Sequence, residues 1–186
     1  SWERSNDTKN KFQKVEPNIG HKAIANIMKK TPNSHLITQN VDNLHQKAGV
    51  PDNQITELHG NSTYAKCLEC EVRYELAPIY KAFSEKGKIP FCDECGGIVK
   101  TATISFGQPM PEEEMRIAQA KTVVCDLFIT IGTSLVVFPA AGFPQLAKEV
   151  GAKLIIINNE PTDLDAIADL VIHEKIGKVF TNFSID

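Results

Sequence analysis

Leu127-Phe128-Ile129-Thr130-Ile131-Gly132-Thr133-Ser134 is the stretch that decides the fold class. An apolar run broken by one threonine is closed by a glycine and two hydroxyl residues. Such a run suits a strand covered by helices on both faces, as in a parallel sheet. Lys153-Leu154-Ile155-Ile156-Ile157 repeats the pattern and stops at Asn158-Asn159. Upstream, Leu36-Ile37-Thr38 reads as a short strand ending in Gln39-Asn40, and Ile55 to Gly60 as another ending at a glycine. Helical patterns lie between them. Ala23, Ile24, Ile27 and Met28 share a helix face that Pro32 closes, and Pro109-Met110-Pro111 with three glutamates opens a helix to about Lys121. A third helix is predicted from about Pro139 to Val150. The alternation makes the class α/β, with a doubly wound parallel sheet.

Composition narrows the function. The chain has 186 residues, 42% of them hydrophobic and 23% charged, with a formal net charge of −3. That is an ordinary globular composition, and the charge gives no reason to expect direct nucleic-acid binding. No run of about 18 apolar residues occurs, so no membrane association is expected. The opening residues, Ser1-Trp2-Glu3-Arg4-Ser5-Asn6-Asp7, form neither a signal nor a transit peptide. An intracellular setting, cytoplasmic or nuclear, is the expectation.

Four of the five cysteines form two pairs, Cys67-x-x-Cys70 and Cys92-x-x-Cys95, with residues 71–91 between them. In a reducing compartment this spacing reads as a structural zinc site, since Zn²⁺ takes four thiolates in a tetrahedron. Tyr74 to Lys86 is predicted to be a helical excursion between the pairs. Because all four ligands come from the protein, the chemistry belongs to other residues. Cys125, in Val123-Val124-Cys125-Asp126, reads as a small apolar side chain entering a strand. A reactive thiol there has no nearby histidine to activate it.

Three predicted strands end in polar or glycine clusters: Gln39-Asn40, Gly132-Thr133-Ser134 and Asn158-Asn159-Glu160. Ligands of open parallel sheets bind at those ends, and amides, hydroxyls and glycines suit ribose and phosphate. Each cluster taken singly also reads as turn and cap residues. All three on one sheet edge point to a nucleotide.

Thr38-Gln39-Asn40-Val41-Asp42-Asn43-Leu44-His45, Lys47-Ala48-Gly49 and Glu57-Leu58-His59-Gly60 closely resemble the sirtuins, the NAD-dependent protein deacylases. The cysteine pairs, Ile104-Ser105-Phe106-Gly107, Gly132-Thr133-Ser134-Leu135 and Ile157-Asn158 come next in that family's order. The resemblance implies a Rossmann-like NAD-binding domain, residues 1–62 and 102–186, carrying a small zinc-binding insert, residues 63–101. It further implies that acyl-lysine substrate enters between them, and that NAD⁺ is a co-substrate from which nicotinamide is released as the acyl group passes to ADP-ribose. By resemblance, Gln39 contacts the nicotinamide ribose, and Asn40 and Asp42 line the nicotinamide pocket. Gly132, Ser134, Asn158 and Glu160 hold the adenosine half, with Ile176 near the adenine. Ile104, Ser105, Phe106 and Gly107 pair with the substrate backbone as an added strand. His59 matches the catalytic histidine, and imidazole is a suitable base for a ribose hydroxyl at neutral pH.

Histidines 45, 21, 35 and 173 are weaker candidates. His45 is expected to orient a helix start, His21 and His35 to lie at the surface or in caps, and His173 to end a late strand. Asp42 also reads as the N-cap of the turn at Asn43–Lys47. The sirtuin pattern departs at the start, where no clustered glycines precede Gly20 and no Pro-Asp-Phe-Arg run occurs. The first turn's glycines admit pyrophosphate to a helix N-terminus. Their absence predicts weak NAD⁺ binding by these residues alone, and an exposed sheet edge prone to pairing with other chains. Thr101 and Gln108 stand where the family often has proline and glutamate. A catalytically impaired module binding ADP-ribose or acyl-lysine peptide is the alternative reading, and an NAD hydrolase or ADP-ribosyltransferase a third.

Overall fold

A computed structural model describes Trp2, residues 15–105 and residues 107–181. Contacts divide these into two units. The first comprises Gln39–Leu44 and His59–Met110 together with Trp2; the second comprises Pro17–Thr38, His45–Leu58 and the described part of Pro111–Asp186.

The second unit is the parallel α/β part. Helix α1 (Ile19–Lys30) starts where Asn18 and His21 cap each other: Asn18 Oδ1 accepts from the His21 N–H at 3.2 Å, and the Asn18 N–H donates to His21 Nδ1 at 3.3 Å. Strand β1 (Leu36–Thr38) is followed by the short helix α2 (Leu44–Lys47) and pairs in parallel with β2 (Ile55–Glu57). Ala25 and Met28 of α1 pack with Val50, Leu36 and Ile55 over this pair. His35 is neither surface nor cap. Half-buried at the entry to β1, its Nε2 lies 2.7 Å from the Thr56 hydroxyl, and burial, then the charge of Lys121, lowers its pKa.

Further along lie β6 (Leu127–Ile131), β7 (Lys153–Ile157) and β8 (Leu170–Ile172), parallel and in that order. Leu154 and Ile156 are fully buried beside Leu135 and Leu164. The sequence predicts burial on both faces for β6 as well, yet Leu127 is 45% and Ile129 39% exposed. β6 is an edge strand of its sheet, paired only with β7 among the described residues. Helices α4 (Glu112–Val123), α5 (Gly142–Glu149) and α6 (Ile176–Thr181) complete the unit. Asp169 joins the strands at their start: its carboxylate accepts from Lys148, Lys153 and the Leu154 N–H, at 2.6, 3.1 and 2.8 Å. Lys148 first among these holds its carboxyl far below the usual carboxylate range.

The first unit is antiparallel. Strand β3 (Gly60–Cys67) lies between β4 (Arg73–Glu75) and β5 (Val99–Thr103), with helix α3 (Leu76–Lys86) after β4. Gly60 thus opens a strand, where the sequence pattern predicts that it closes one, and Arg73 to Glu75 form β4 before the helix begins. Ala65, Leu76, Tyr80 and Val99 form a core around Cys67 and Cys92, with Trp2 edge-on to Tyr80 at 5.5 Å. Among the described residues no helix is long and apolar enough to cross a membrane.

Candidate active site and zinc centre

Parallel pairing sets Thr38 opposite Glu57, and the Leu58 N–H donates to the Thr38 carbonyl at 3.0 Å. The two strands therefore end level. Gln39-Asn40 and His59 continue directly from their carboxyl ends, the edge where open parallel sheets take ligands.

Within the first unit, hydrogen bonds hold the segment 39–44 to the start of β3. The Ser62 N–H and hydroxyl both donate to the Val41 carbonyl, at 2.8 and 2.6 Å, and Asn61 Nδ2 donates to Asn43 Oδ1 at 3.0 Å. Asn61 is only 2% exposed, and its Oδ1 accepts from the Thr63 N–H and hydroxyl at 2.8 and 2.7 Å. A buried amide bonded at both ends fixes its neighbours, because breaking either bond strands a polar group away from water. Asn43 has φ 62°, a left-handed conformation asparagine tolerates. Asp42 Oδ1 accepts from the Leu44 N–H at 3.0 Å and so caps α2. Asn61 and Ser62 are positioning residues that sequence reasoning missed. Their signal was an asparagine inside a strand, where its propensity is poor.

His59 is half-buried, and its carbonyl accepts from the Ile104 N–H at 2.9 Å. Ser105 closes a turn with Gln108, donating its N–H to Gln108 Oε1 at 2.8 Å and accepting the Gln108 N–H at 3.0 Å. Pairing of Ser105 with a peptide strand therefore requires Gln108 to let go. Phe106 lies outside the described residues. Gly60, beside His59, has φ +70°, and an added Cβ would lie 1.8 Å from the Ala102 carbonyl oxygen. Only glycine lets β3 approach β5 this closely. We expect Gly60→Ala to destabilise the unit by more than the roughly 1–3 kcal/mol of a left-handed residue alone. Denaturant unfolding measures this, and an unchanged midpoint would contradict the packing.

The four cysteine sulfurs of the first unit all lie within 4.8 Å of one another. Cys67–Cys95 and Cys70–Cys92 are 3.5 Å apart, and Cys70–Cys95 3.4 Å. Zn–S bonds of about 2.3 Å in a tetrahedron need sulfurs roughly 3.8 Å apart, so the cluster fits the ion. The surrounding donors fit too: the Glu69 N–H points at Cys67 Sγ (3.4 Å) and the Tyr74 hydroxyl donates to Cys92 Sγ (3.1 Å). That hydroxyl pulls the Cys92 thiol down to about 6 and is itself pushed up to about 12 by the same bond. The Cys70 backbone N–H first among several lowers Cys67. Cys70 and Cys95 rise although backbone N–H groups of Val72 and Gly97 favour their thiolates, because the neighbouring sulfurs oppose more negative charge. A divalent cation lifts that opposition and takes all four as anions. This is the structural zinc site.

In the second unit, the Gly132 N–H donates to the Ile157 carbonyl at 2.9 Å, which places Gly132 beside Asn158. Gly132 has φ +64°, and Cβ atoms built on Gly132 and Gly20 would each fall 2.7 Å from Ile176. Ile176 thus sits against Gly132 at the end of β6 and Gly20 in the first turn of α1. Asn158 Nδ2 donates to the Glu160 carbonyl at 2.7 Å. Ser134 and Glu160 are exposed at the same strand ends. His45 is buried, its ring centroid 4.8 Å from that of His21. Cys125 donates to the Thr122 carbonyl at 3.2 Å, and burial pushes its thiol up, which agrees with the apolar reading.

Parallel strands with polar carboxyl ends, joined in one chain to a four-cysteine zinc module, define an α/β zinc protein with a ligand edge. The chain belongs to the Sir2 family, whose sequence model matches residues 1–139. It is 51% identical over 183 residues to an NAD-dependent protein deacetylase of Rhodopseudomonas palustris, covering 98% of this chain and 72% of that protein. It is also 42% identical over 179 residues to NAD-dependent protein deacylase 2 of Archaeoglobus fulgidus, covering 96% and 69%. The solved structure of Sir2Tm bound to a propionylated peptide superposes with a TM-score of 0.86 at 31% identity, over 97% of this chain and 75% of that one. A Sir2 structure with p53 peptide and NAD⁺ gives 0.81 at 33%, over 91% and 70%.

Proposed function

We propose that this chain is an NAD-dependent protein-lysine deacylase in which His59 is the base. The level ends of β1 and β2 carry the reading, because they bring the Gln39–Asp42 segment and His59 off the same sheet edge. When bound, NAD⁺ would supply an electrophilic ribose carbon for the acyl oxygen; with loss of nicotinamide and uptake of one water, the products would be deacylated lysine and O-acyl-ADP-ribose. The chain's residues do the rest. His59 accepts a ribose-hydroxyl proton on its imidazole. Gln39 positions the nicotinamide ribose, and Asn40 and Asp42 hold the nicotinamide, with Asp42 oriented by its cap to Leu44. Gly132, Ser134, Asn158, Glu160 and Ile176 hold the adenosine half. Ile104 to Gly107 pair with an acyl-lysine peptide once the Gln108 turn opens. The cysteines brace the first unit and take no part in proton transfer.

On this reading the NAD-binding domain is residues 1–62 and 102–186, and the zinc insert is residues 63–101. Cysteines committed as zinc-ligating thiolates favour a reducing, intracellular setting, cytoplasmic or nuclear. The partner is an acyl-lysine protein or peptide, with no nucleic acid.

The test is incubation with NAD⁺ and acetyl- or propionyl-lysine peptide, with nicotinamide and O-acyl-ADP-ribose measured by mass spectrometry. We expect the two products to form in equal amounts with deacylated peptide. Nicotinamide released at the same rate without peptide would replace this reading with an NAD hydrolase.

A further inference from the structure

Along β5 and its flanks, the even-numbered residues turn their backbone groups toward β3 and its continuation. The Leu68 N–H donates to the Ile98 carbonyl and the Ile104 N–H to the His59 carbonyl, both at 2.9 Å, and the Ala102 carbonyl is the group that crowds Gly60. Successive residues of a strand face opposite edges. Val99, Thr101 and Thr103 therefore point away from β3. The Val99 N–H finds the Pro90 carbonyl at 3.0 Å. Beyond it, β5 pairs with no strand but β3 among the described residues. The outward carbonyls are met by a side chain: Lys100 Nζ donates to the Thr103 carbonyl and lies 3.5 Å from that of Thr101.

The Thr103–Ile104 peptide unit is thus gripped at both ends. Its carbonyl accepts from Lys100 on the outer edge, and its N–H donates to His59 on the inner one. Turning that plane breaks one bond or the other. It also sets the direction of the backbone that follows, Ile104 to Gly107. A strand added to that segment finds the two acceptors behind it already engaged, since a lysine on an open edge discourages pairing there. The neighbouring cation, Lys66, is itself paired with Glu71 at 2.8 Å. Burial, then the charge of Lys66, lowers the pKa of Lys100, and protonated or not the amine keeps N–H donors.

We infer that Lys100 is a positioning residue for the peptide: its amine orients the Thr103–Ile104 plane and closes the edge of β5 where the substrate strand begins. The inference rests on the reading that residues 104–107 take the acyl-lysine peptide as an added strand.

The experiment is calorimetry with an acetyl-lysine peptide, which gives both affinity and the number of sites. Lys100→Met keeps most of the stem and removes the donor, whereas Lys100→Arg keeps a donor. We expect Lys100→Met to bind the peptide roughly threefold to tenfold more weakly, the worth of one hydrogen bond, with the number of sites unchanged. Lys100→Arg should recover most of that loss. A lysine that merely supports the fold gives fewer sites at the parental affinity, and that result overturns the inference. Parental affinity in Lys100→Met overturns it too, as does a Lys100→Arg protein as weak as Lys100→Met. The same peptide with N-methylated backbone amides around the acetyl-lysine is the second probe. If the unmodified chain binds both peptides alike, or neither, the added-strand reading of residues 104–107 fails and takes this inference with it. Weaker binding of the methylated peptide, together with a Lys100→Met protein equal to the parent, sinks the inference alone.

Discussion

Cys92→Ser is expected to release the zinc and unfold the antiparallel unit. Cys92 is 4% exposed and belongs to the same core as Ala65, Cys67, Leu76 and Val99. In this unit the ligands are also the packing, so loss of the ion and loss of the core are one event. Structural Zn²⁺ contributes about 10–16 kcal/mol of apparent binding free energy in small folded modules at neutral pH. That exceeds what so small a core supplies alone. Serine is close to cysteine in shape but offers no thiolate, and it puts a neutral hydroxyl where Cys92 Sγ accepts from the Tyr74 hydroxyl. Metal analysis should find no zinc, and limited proteolysis should cut between residues 63 and 101. Deacylation should disappear with it. A zinc-free Cys92→Ser protein with a cooperative unfolding transition matching the parent would refute the structural role.

His59→Ala should lower kcat/KM for deacylation by about 10²–10⁴-fold, the usual contribution of a positioned general base. The fold should survive. What ties His59 to β5 is its backbone carbonyl, which accepts from Ile104, and alanine keeps that carbonyl. Zinc content and the unfolding midpoint should therefore match the parent. This separates a chemical loss from the structural loss of Cys92→Ser. Retention of parental kcat/KM in a folded His59→Ala protein would remove His59 from the reaction.

Much of this was legible in the chain before any coordinates. Leu36–Thr38, Leu127–Ile131 and Lys153–Ile157 are strands at the residues their apolar, β-branched runs indicate. The zinc site was equally plain: few arrangements other than a tetrahedral metal need two C-x-x-C pairs. Gly60 was harder, because a glycine after an apolar run marks an end in most contexts. Here it begins β3, for a reason that lies 42 positions away in Ala102, whose carbonyl oxygen leaves no room for a Cβ. The exposure of β6 was hidden for a similar cause. Hydrophobicity says that a strand wants cover and is silent on which neighbours lie beside it.

By itself, then, the sequence determined the α/β class, the zinc ligands and the family, because each depends on residue type at short spacing. Only the tertiary structure decided how distant segments meet: the buried amide of Asn61 on the loop before α2, Ile176 against Gly20 and Gly132, and His173 between Asn158 and Asp165. Those contacts join residues with no periodic relation along the chain. Their partners are chosen by the path of the backbone, and local pattern carries no record of it.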